Sequence, residues 1–335
     1  MGRIKVGING FGRIGRMTAR LILQSKDLEL VAINDTAELQ SMAHLFKYDS
    51  IHGIWKGTIE HDLQQSVLIL NGEKIQYSRE KGPADIPWDK SGAEVIVEST
   101  GLFKSAEKCR PHLSDVVKQV IVSAPPDDNS MPTIVLGVND EQITSDFQII
   151  SNASCTTNNA APLLQLVDEL CGIESCYITT VHSFTGDQRL HDAPHKDLRR
   201  ARAATQSIVP TTTGAAKALT RVFPHLNDVI GGCGIRVPVP DGSLTDLTCS
   251  VKNTISVEEI NRAFKEACEV RYKGIVEYTE DPVVSVDVLG NSHSCLFDAQ
   301  LTSVIGKMVK VVGWYDNEIG YSSRMVDLIR KFHSV

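Results

Sequence analysis

The chain has 335 residues, of which 42% are hydrophobic and 22% charged, and its formal net charge is −7. This is the make-up of a globular protein with enough chain for two cores, and it excludes a disordered, fibrous or broadly nucleic-acid-binding polypeptide. No apolar run approaches the roughly 18 residues of a membrane span, and the opening "MGRIKVGINGFG" has neither the apolar stretch nor the cleavage site of a secretory signal, so a cytoplasmic location is expected, with no membrane and no nucleic-acid partner.

In chain order, "IKVGIN" (4–9) reads as a short strand, "RIGRMTARLILQ" (13–24) has helical spacing, and "LELVAIN" (28–34) reads as a second strand. Together they form a βαβ unit. Buried-strand candidates follow in "EVIVEST" (94–100), "QVIVSA" (119–124), "TIVLGV" (133–138) and "FQII" (147–150). Their continuous apolar character predicts a mostly parallel sheet covered by helices.

Gly10, Gly12 and Gly15 make a G-x-G-x-x-G turn between the first strand and the first helix. Glycines there allow a tight turn and let backbone N–H groups approach a pyrophosphate at the positive helix end. Asp35 lies 20 residues beyond Gly15, at the end of the second strand, where an acid accepts hydrogen bonds from ribose hydroxyls. Strand, glycines, helix and acid in register point to a dinucleotide. Asp35 favours NAD by repelling a 2′-phosphate, while the adjacent Thr36 leaves NADP open.

After Cys155 the texture changes. "YITTVHSF" (177–184), "GIRVPVP" (234–240), "LTDLTCSVK" (244–252), "VVSVDVL" (283–289) and "VKVVGWY" (309–315) are longer and more alternating, as in an antiparallel or mixed sheet. "VEEINRAFKEACEV" (257–270) is an amphipathic helix to set against it, and "SSRMVDLIRKF" (322–332) is a last helix. A boundary therefore falls near 151–155.

Eight cysteines in such a chain read as reduced thiols, and with no C-x-x-C pair among them no metal site is expected. Cys155 stands apart. It follows a strand-like run, lies among Ser154, Thr156, Thr157 and Asn158, and opens a helix, where free N–H groups and the helix dipole stabilise a thiolate. His182, 27 residues on at the end of "YITTV", is the histidine best placed to act as its base. Around them lie oxyanion-binding groups in "SCT" (154–156), "TTTG" (211–214), "LRRAR" (198–202) and "GIRVP" (234–238). A hydride-accepting cofactor, a thiolate and phosphate-binding groups together suggest oxidation of an aldehyde through a thioester.

The motifs "INGFGRIGR" (8–16), "SNASCTTN" (151–158), "DLRRARAA" (197–204), "PTTTGAAKA" (210–218), "RVPVP" (236–240) and "WYDNE" (314–318) occur together in this order. In this the chain resembles the phosphorylating glyceraldehyde-3-phosphate dehydrogenases over essentially its whole length. The resemblance implies an α/β fold: a Rossmann-type doubly wound parallel sheet over 1–153, with the C-terminal helix 318–335 packing back on it, and an α+β catalytic domain with a mixed or antiparallel sheet over 154–317. It implies Cys155 as nucleophile and His182 as base. The substrate's phosphate would fall to Thr185 and Arg236, and the attacking inorganic phosphate to Ser154, Thr156, Thr213 and Gly214, with Arg200 nearby. For the cofactor it implies Gly10, Gly12, Arg13 and Ile14 at the pyrophosphate and Asp35 at the ribose. Lys81 would lie at the adenosine, where the family often has arginine, Thr100 and Ser123 on the nicotinamide side, and Asn317 at the carboxamide. The substrates implied are glyceraldehyde 3-phosphate and phosphate, and the assembly a homotetramer.

The chain departs from the family pattern at several positions. Asn159 replaces a second cysteine four residues after the nucleophile, and Ile319 replaces a tryptophan. Gly186 together with "NDT" (34–36) is similar to NADP-accepting members, whereas Pro194 matches NAD-preferring ones. Erythrose-4-phosphate dehydrogenase, an acyl-phosphate reductase and a non-catalytic binding protein are the alternative readings, and "HSFTGDQRLHDAPHKDLRRARAA" with intact Cys155, His182 and Arg236 weighs against them.

Overall fold

A computed structural model describes residues 2–335. Met1, the first residue of the expected 1–153 domain, lies outside the described residues. The chain divides into two units: one gathers residues up to 134, 141–153 and 322–335, the other 135–140 and 154–321.

In the first unit, β1 (Ile4–Asn9), β2 (Leu28–Asn34), β5 (Ile59–Asp62), β6 (Val67–Leu70), β7 (Glu73–Ser78), β8 (Val95–Glu98), β9 (Gln119–Val122) and β10 (Ile149–Ser151) form one sheet. Between them β3 (Tyr48–Asp49) and β4 (Gly53–Ile54) make a separate two-stranded pair. The sheet order is β10-β9-β8-β1-β2-β7-β6-β5. Pairs from β10 through to β7 are parallel, and β7-β6-β5 is an antiparallel meander at one edge. All four residues of β8 are buried, as expected of a strand covered on both faces. Strand order reverses at β1, so the loops leaving the carboxyl ends of β1 and β8 flank a switch point, where open α/β sheets bind ligands. Helices α1 (Arg13–Ile22), α2 (Leu39–Lys47), α3 (Trp88–Ser91) and α4 (Ala106–Cys109) belong to this unit.

The expected strand over 133–138 does not form. Only Thr133 makes a bridge, to Ser151. Beyond it, Asn139 Oδ1 accepts the Val135 N–H and Asp140 Oδ1 accepts the Gly137 N–H, both at 2.7 Å, while Gly137 adopts φ +78°. Side-chain acceptors have captured the donors that a strand would need.

The second unit holds β11 (Ile173–Ser183), β12 (Val209–Thr211), β13 (Ile230–Val237), β14 (Ser243–Val251), β15 (Val276–Thr279), β16 (Cys295–Asp298), β17 (Ser303–Ile305) and β18 (Met308–Tyr315). Their order is β12-β13-β11-β14-β18-β16-β15, with β17 beside β18. The sheet is mixed: β11 runs parallel to β13 and β15 to β16, and the other pairs are antiparallel. Helix α5 (Cys155–Cys171) packs on β14 and β18 with Leu163, Leu164 and Val167 buried. Helix α6 (Ala215–Val222) packs on α5, and α7 (Val257–Glu269) begins with a capping box between Ser256 and Glu259. The expected strand 283–289 is instead a short 3₁₀ turn over Ser285–Val288. Asp287 Oδ2 takes the Val284 N–H at 2.7 Å, and the exposure of Val284 and Val286 shows that their alternation met no partner strand.

Helix α8 (Ile319–His333) leads the chain from the second unit into the first. There Arg330 Nε donates to Asp27 Oδ2 at 2.7 Å, and Gln119 Nε2 donates to the Phe332 carbonyl at 2.7 Å.

Candidate active site

β10 ends at Ser151, and two residues later Ala153 turns the chain with φ +53°. Ser154 then caps α5, its Oγ accepting the Thr157 N–H at 3.1 Å, which leaves Cys155 as the first helical residue. The inward-facing residues Ile178, Thr180 and His182 alternate along β11, and the last of these carries the imidazole to the thiol. His182 Nε2 lies 3.5 Å from Cys155 Sγ. Its Nδ1 lies 2.8 Å from the Ser183 carbonyl. Arg236 is the residue directly across the parallel β11–β13 pair, and its Nη1 donates to the same carbonyl at 2.9 Å while approaching Nδ1 at 2.8 Å. The Ser183 carbonyl only accepts and the arginine only donates, so Nδ1 answers one of them; in the tautomer whose Nδ1 proton is given to Ser183 O, the Nε2 lone pair faces sulfur.

Electrostatics modify the expectation of a resting thiolate. Burial pushes the Cys155 thiol up to about 11, against the pull of Arg236 and of the Thr156 N–H. Burial, joined by Arg236, pushes His182 down to about 3. Both groups therefore rest neutral near pH 7: the helix end assists ionisation without achieving it alone. Tyr315 completes the wall. Its hydroxyl lies 2.9 Å from Thr156 Oγ1 and 3.0 Å from Thr180 Oγ1, and its ring meets His182 edge-on at 5.9 Å. Sequence reasoning assigned Tyr315 no role, although it stands within "WYDNE".

Thr185, Arg200 and Arg236 surround a carboxylate that sequence reasoning also missed. Asp187 accepts hydrogen bonds from Thr185 Oγ1 and Arg200 Nη1. Burial works against its charge, but Thr185, Arg236 and Arg200 outweigh it and hold the carboxyl below its ordinary value. Arg200 Nε also donates to Thr211 Oγ1 at 2.9 Å, beside the segment in which Thr213 Oγ1 accepts the Ala215 N–H at 3.2 Å and Gly214 precedes α6. The Ser154 and Thr156 hydroxyls are turned to Thr157 and Tyr315, so an anion there would meet mainly backbone N–H groups at the start of α5.

In the first unit the glycine turn fits a dinucleotide. A Cβ on Gly10, at φ +90°, would come within 2.6 Å of Thr100 N, and one on Gly15 would fall on the Gly10 carbonyl oxygen. A Cβ on Gly12 would meet nothing within 4 Å. The turn is thus closed on its inner side and open where a pyrophosphate would lie, and the residue at the N-cap of α1, Gly12, has no side chain to cap it. Arg13 contributes backbone here, because its guanidinium forks onto the buried Asp49, with Nη2 at 3.1 Å from Oδ1. Ile14 follows it in the first turn of α1. Asp35 braces the turn by accepting Phe11 N–H at 2.7 Å and Ala37 N–H at 2.9 Å. Thr100 is held by Glu98 Oε1, which takes both its N–H, at 2.9 Å, and its hydroxyl hydrogen. Ser123 N donates to the Glu98 carbonyl at 2.9 Å, and Lys81 is exposed. Asn317 lies in the second unit, 6% exposed.

A mostly parallel sheet carrying this turn, in a chain that also sets a thiol beside an imidazole, fits a nicotinamide-dependent dehydrogenase. Residues 4–106 match the family described as glyceraldehyde 3-phosphate dehydrogenase, NAD binding domain, and residues 154–317 match its C-terminal domain. The chain is 49% identical over 331 residues to glyceraldehyde-3-phosphate dehydrogenase of Mycobacterium avium, covering 97% of each. It is 49% identical over 329 residues to that of Streptomyces coelicolor, and 48% over 328 residues to glyceraldehyde-3-phosphate dehydrogenase 2 of Streptomyces avermitilis, again covering 97% of each chain. The chain belongs to the glyceraldehyde-3-phosphate dehydrogenase family.

Proposed function

We propose that the chain catalyses the NAD-dependent oxidative phosphorylation of D-glyceraldehyde 3-phosphate to 1,3-bisphosphoglycerate through a thioester on Cys155. The observation that carries this reading is the 3.5 Å approach of His182 Nε2 to the Cys155 sulfur. As sulfur attacks the aldehyde carbon, the thiol proton passes to Nε2, and the imidazolium so formed faces the new alkoxide. NAD, when bound, supplies the acceptor for the hydride that leaves that carbon. His182 gives that proton to the alkoxide to make the hemithioacetal hydroxyl and takes it back as the hydride leaves and the thioester carbonyl forms; phosphate oxygen then displaces the sulfur, which leaves as thiolate and recovers the proton from His182, to release the acyl phosphate.

In this reading Thr185 and Arg236 hold the substrate's phosphate, displacing the Asp187 carboxylate that they now face. Ser154, Thr156, Thr213 and Gly214, with Arg200, receive the attacking phosphate. Gly10, Gly12, Arg13, Ile14, Asp35, Lys81, Thr100, Ser123 and Asn317 bind the cofactor, with NAD preferred. Residues 1–153 with 318–335 act as the nucleotide-binding domain and 154–317 as the catalytic domain of a cytoplasmic homotetramer serving glycolysis or gluconeogenesis. The test is reduction of NAD, and separately of NADP, by the aldehyde with and without inorganic phosphate. Turnover that does not need phosphate would sink the reading.

A further inference from the structure

Asn317 carries its side-chain carbonyl inward. Its Oδ1 accepts hydrogen bonds from Ser183 Oγ and Ser243 Oγ, each at 2.8 Å. The two serines are 0% and 1% exposed. Ser243 Oγ also accepts the Ser183 N–H at 3.1 Å, and the Asn317 N–H donates to Asp241 Oδ1 at 3.2 Å. An amide has two unlike ends, and these contacts distinguish them. Were Asn317 turned over, both buried serine hydroxyls would face a donor and their protons would have no acceptor, an unfavourable state inside a protein. Nδ2 has no hydrogen-bond partner among the described residues and is the end left for a ligand.

We propose that Ser183 and Ser243 are positioning residues that fix the polarity of the Asn317 amide, so that it presents only a donor and selects the carbonyl oxygen of the nicotinamide carboxamide. The proposal rests on the reading that this chain binds NAD with Asn317 at that group. Ser183 then has two duties, since its carbonyl receives the His182 Nδ1 proton while its hydroxyl orients the cofactor anchor.

The test compares NAD with 3-acetylpyridine adenine dinucleotide, which keeps the ring carbonyl but has no amide N–H. Steady-state kinetics are measured on the full chain, on Ser183→Ala, on the double variant Ser183→Ala with Ser243→Ala, and on Asn317→Ala. With the serine hydroxyls gone the amide is free to turn. NAD can answer a turned amide with its own N–H group, and the ketone analogue cannot. The ratio of KM for the analogue to KM for NAD is expected to rise about fivefold over wild type in the double variant, and less in Ser183→Ala. In the serine variants the analogue-to-NAD ratio should rise by more than the KM for the aldehyde does, because the His182 contact is to the Ser183 backbone. An unchanged ratio in both serine variants, with Asn317→Ala raising the KM for NAD, overturns the proposal alone. An Asn317→Ala variant with an unaltered KM for NAD removes the reading beneath it as well.

Discussion

Arg236 and His182 face each other across a parallel strand pair and converge on one carbonyl oxygen, that of Ser183, at 2.9 and 2.8 Å. The guanidinium adds to burial in keeping the imidazole uncharged, and it opposes burial at the thiol. Under the proposed function, the pair exchanges its proton during attack rather than before it.

The first prediction follows from that resting state. With the Cys155 thiol pushed up to about 11, chiefly by burial, its alkylation by iodoacetamide in the ligand-free protein should quicken steadily from pH 6 to pH 9. A rate that has already levelled off below pH 6 would mean a preformed thiolate–imidazolium pair.

Cys155→Ser should bind NAD nearly as the parent does and lose the burst of hydride transfer, because an alcohol is far less acidic than a thiol. Rapid mixing of enzyme, NAD and aldehyde gives the answer, and a surviving burst would rule out the sulfur as acyl carrier.

Asp35→Asn removes a negative charge and keeps an acceptor for one of the Phe11 and Ala37 N–H groups, which bond to different carboxylate oxygens, so the turn should stay formed at a cost of about 1 kcal/mol. Relative use of NADP is expected to rise about tenfold or more as repulsion of a 2′-phosphate disappears. Selectivity that does not move would place the discrimination elsewhere in the chain.

Asp241 gives a stability prediction. Burial, with Asp316 and then Glu318, pushes its carboxyl up to about 8 from the ordinary aspartate value of about 4. Between those pH values the folded chain keeps a proton that the unfolded chain has released, so stability falls as pH rises, by about 1.4 kcal/mol per unit where the effect is fully expressed. Asp241→Asn abolishes the titration. Its thermal midpoint should gain on that of the parent progressively from pH 5 to pH 8, and an offset that is constant with pH would refute the assignment.

The parts of the fold that were legible in the sequence are those written in local chemistry. The apolar run of β1, the glycines after it and the helical spacing of α1 each carry their own signal, and Cys155 could be placed at a helix start because Ser154 is a capping residue. The segment 133–138 misled because Asn139 and Asp140 take its N–H groups from four and three residues away, an option that apolar patterning does not reveal. The β5–β6–β7 meander went unseen since "IEHD", at the sheet edge, and "EKIQYS", inside it, are both largely polar. The position of Arg236 opposite His182 is fixed by the register of strands 54 residues apart, so sequence could supply the residue but not the pairing. Likewise, Glu98 reads as the end of an apolar strand, yet it is buried and accepts from Asn9 Nδ2 at 2.6 Å and lies 3.1 Å from His112 Nε2, while His112 Nδ1 receives the Trp88 indole N–H at 3.0 Å. That network is assembled from four distant segments.

Ala153 holds a left-handed torsion, φ +53°, with its methyl fully buried, immediately before the residue that caps α5. A side chain there must be small enough for the space and unbranched enough for the torsion, at an ordinary cost of about 1 kcal/mol for alanine. The aim of the Cys155 thiol is therefore inherited from a backbone angle two residues upstream, which no contact made by the sulfur can correct. Glycine should be accepted at 153 with little change in turnover, whereas valine should misdirect the thiol and slow both acylation and alkylation in a chain that still folds.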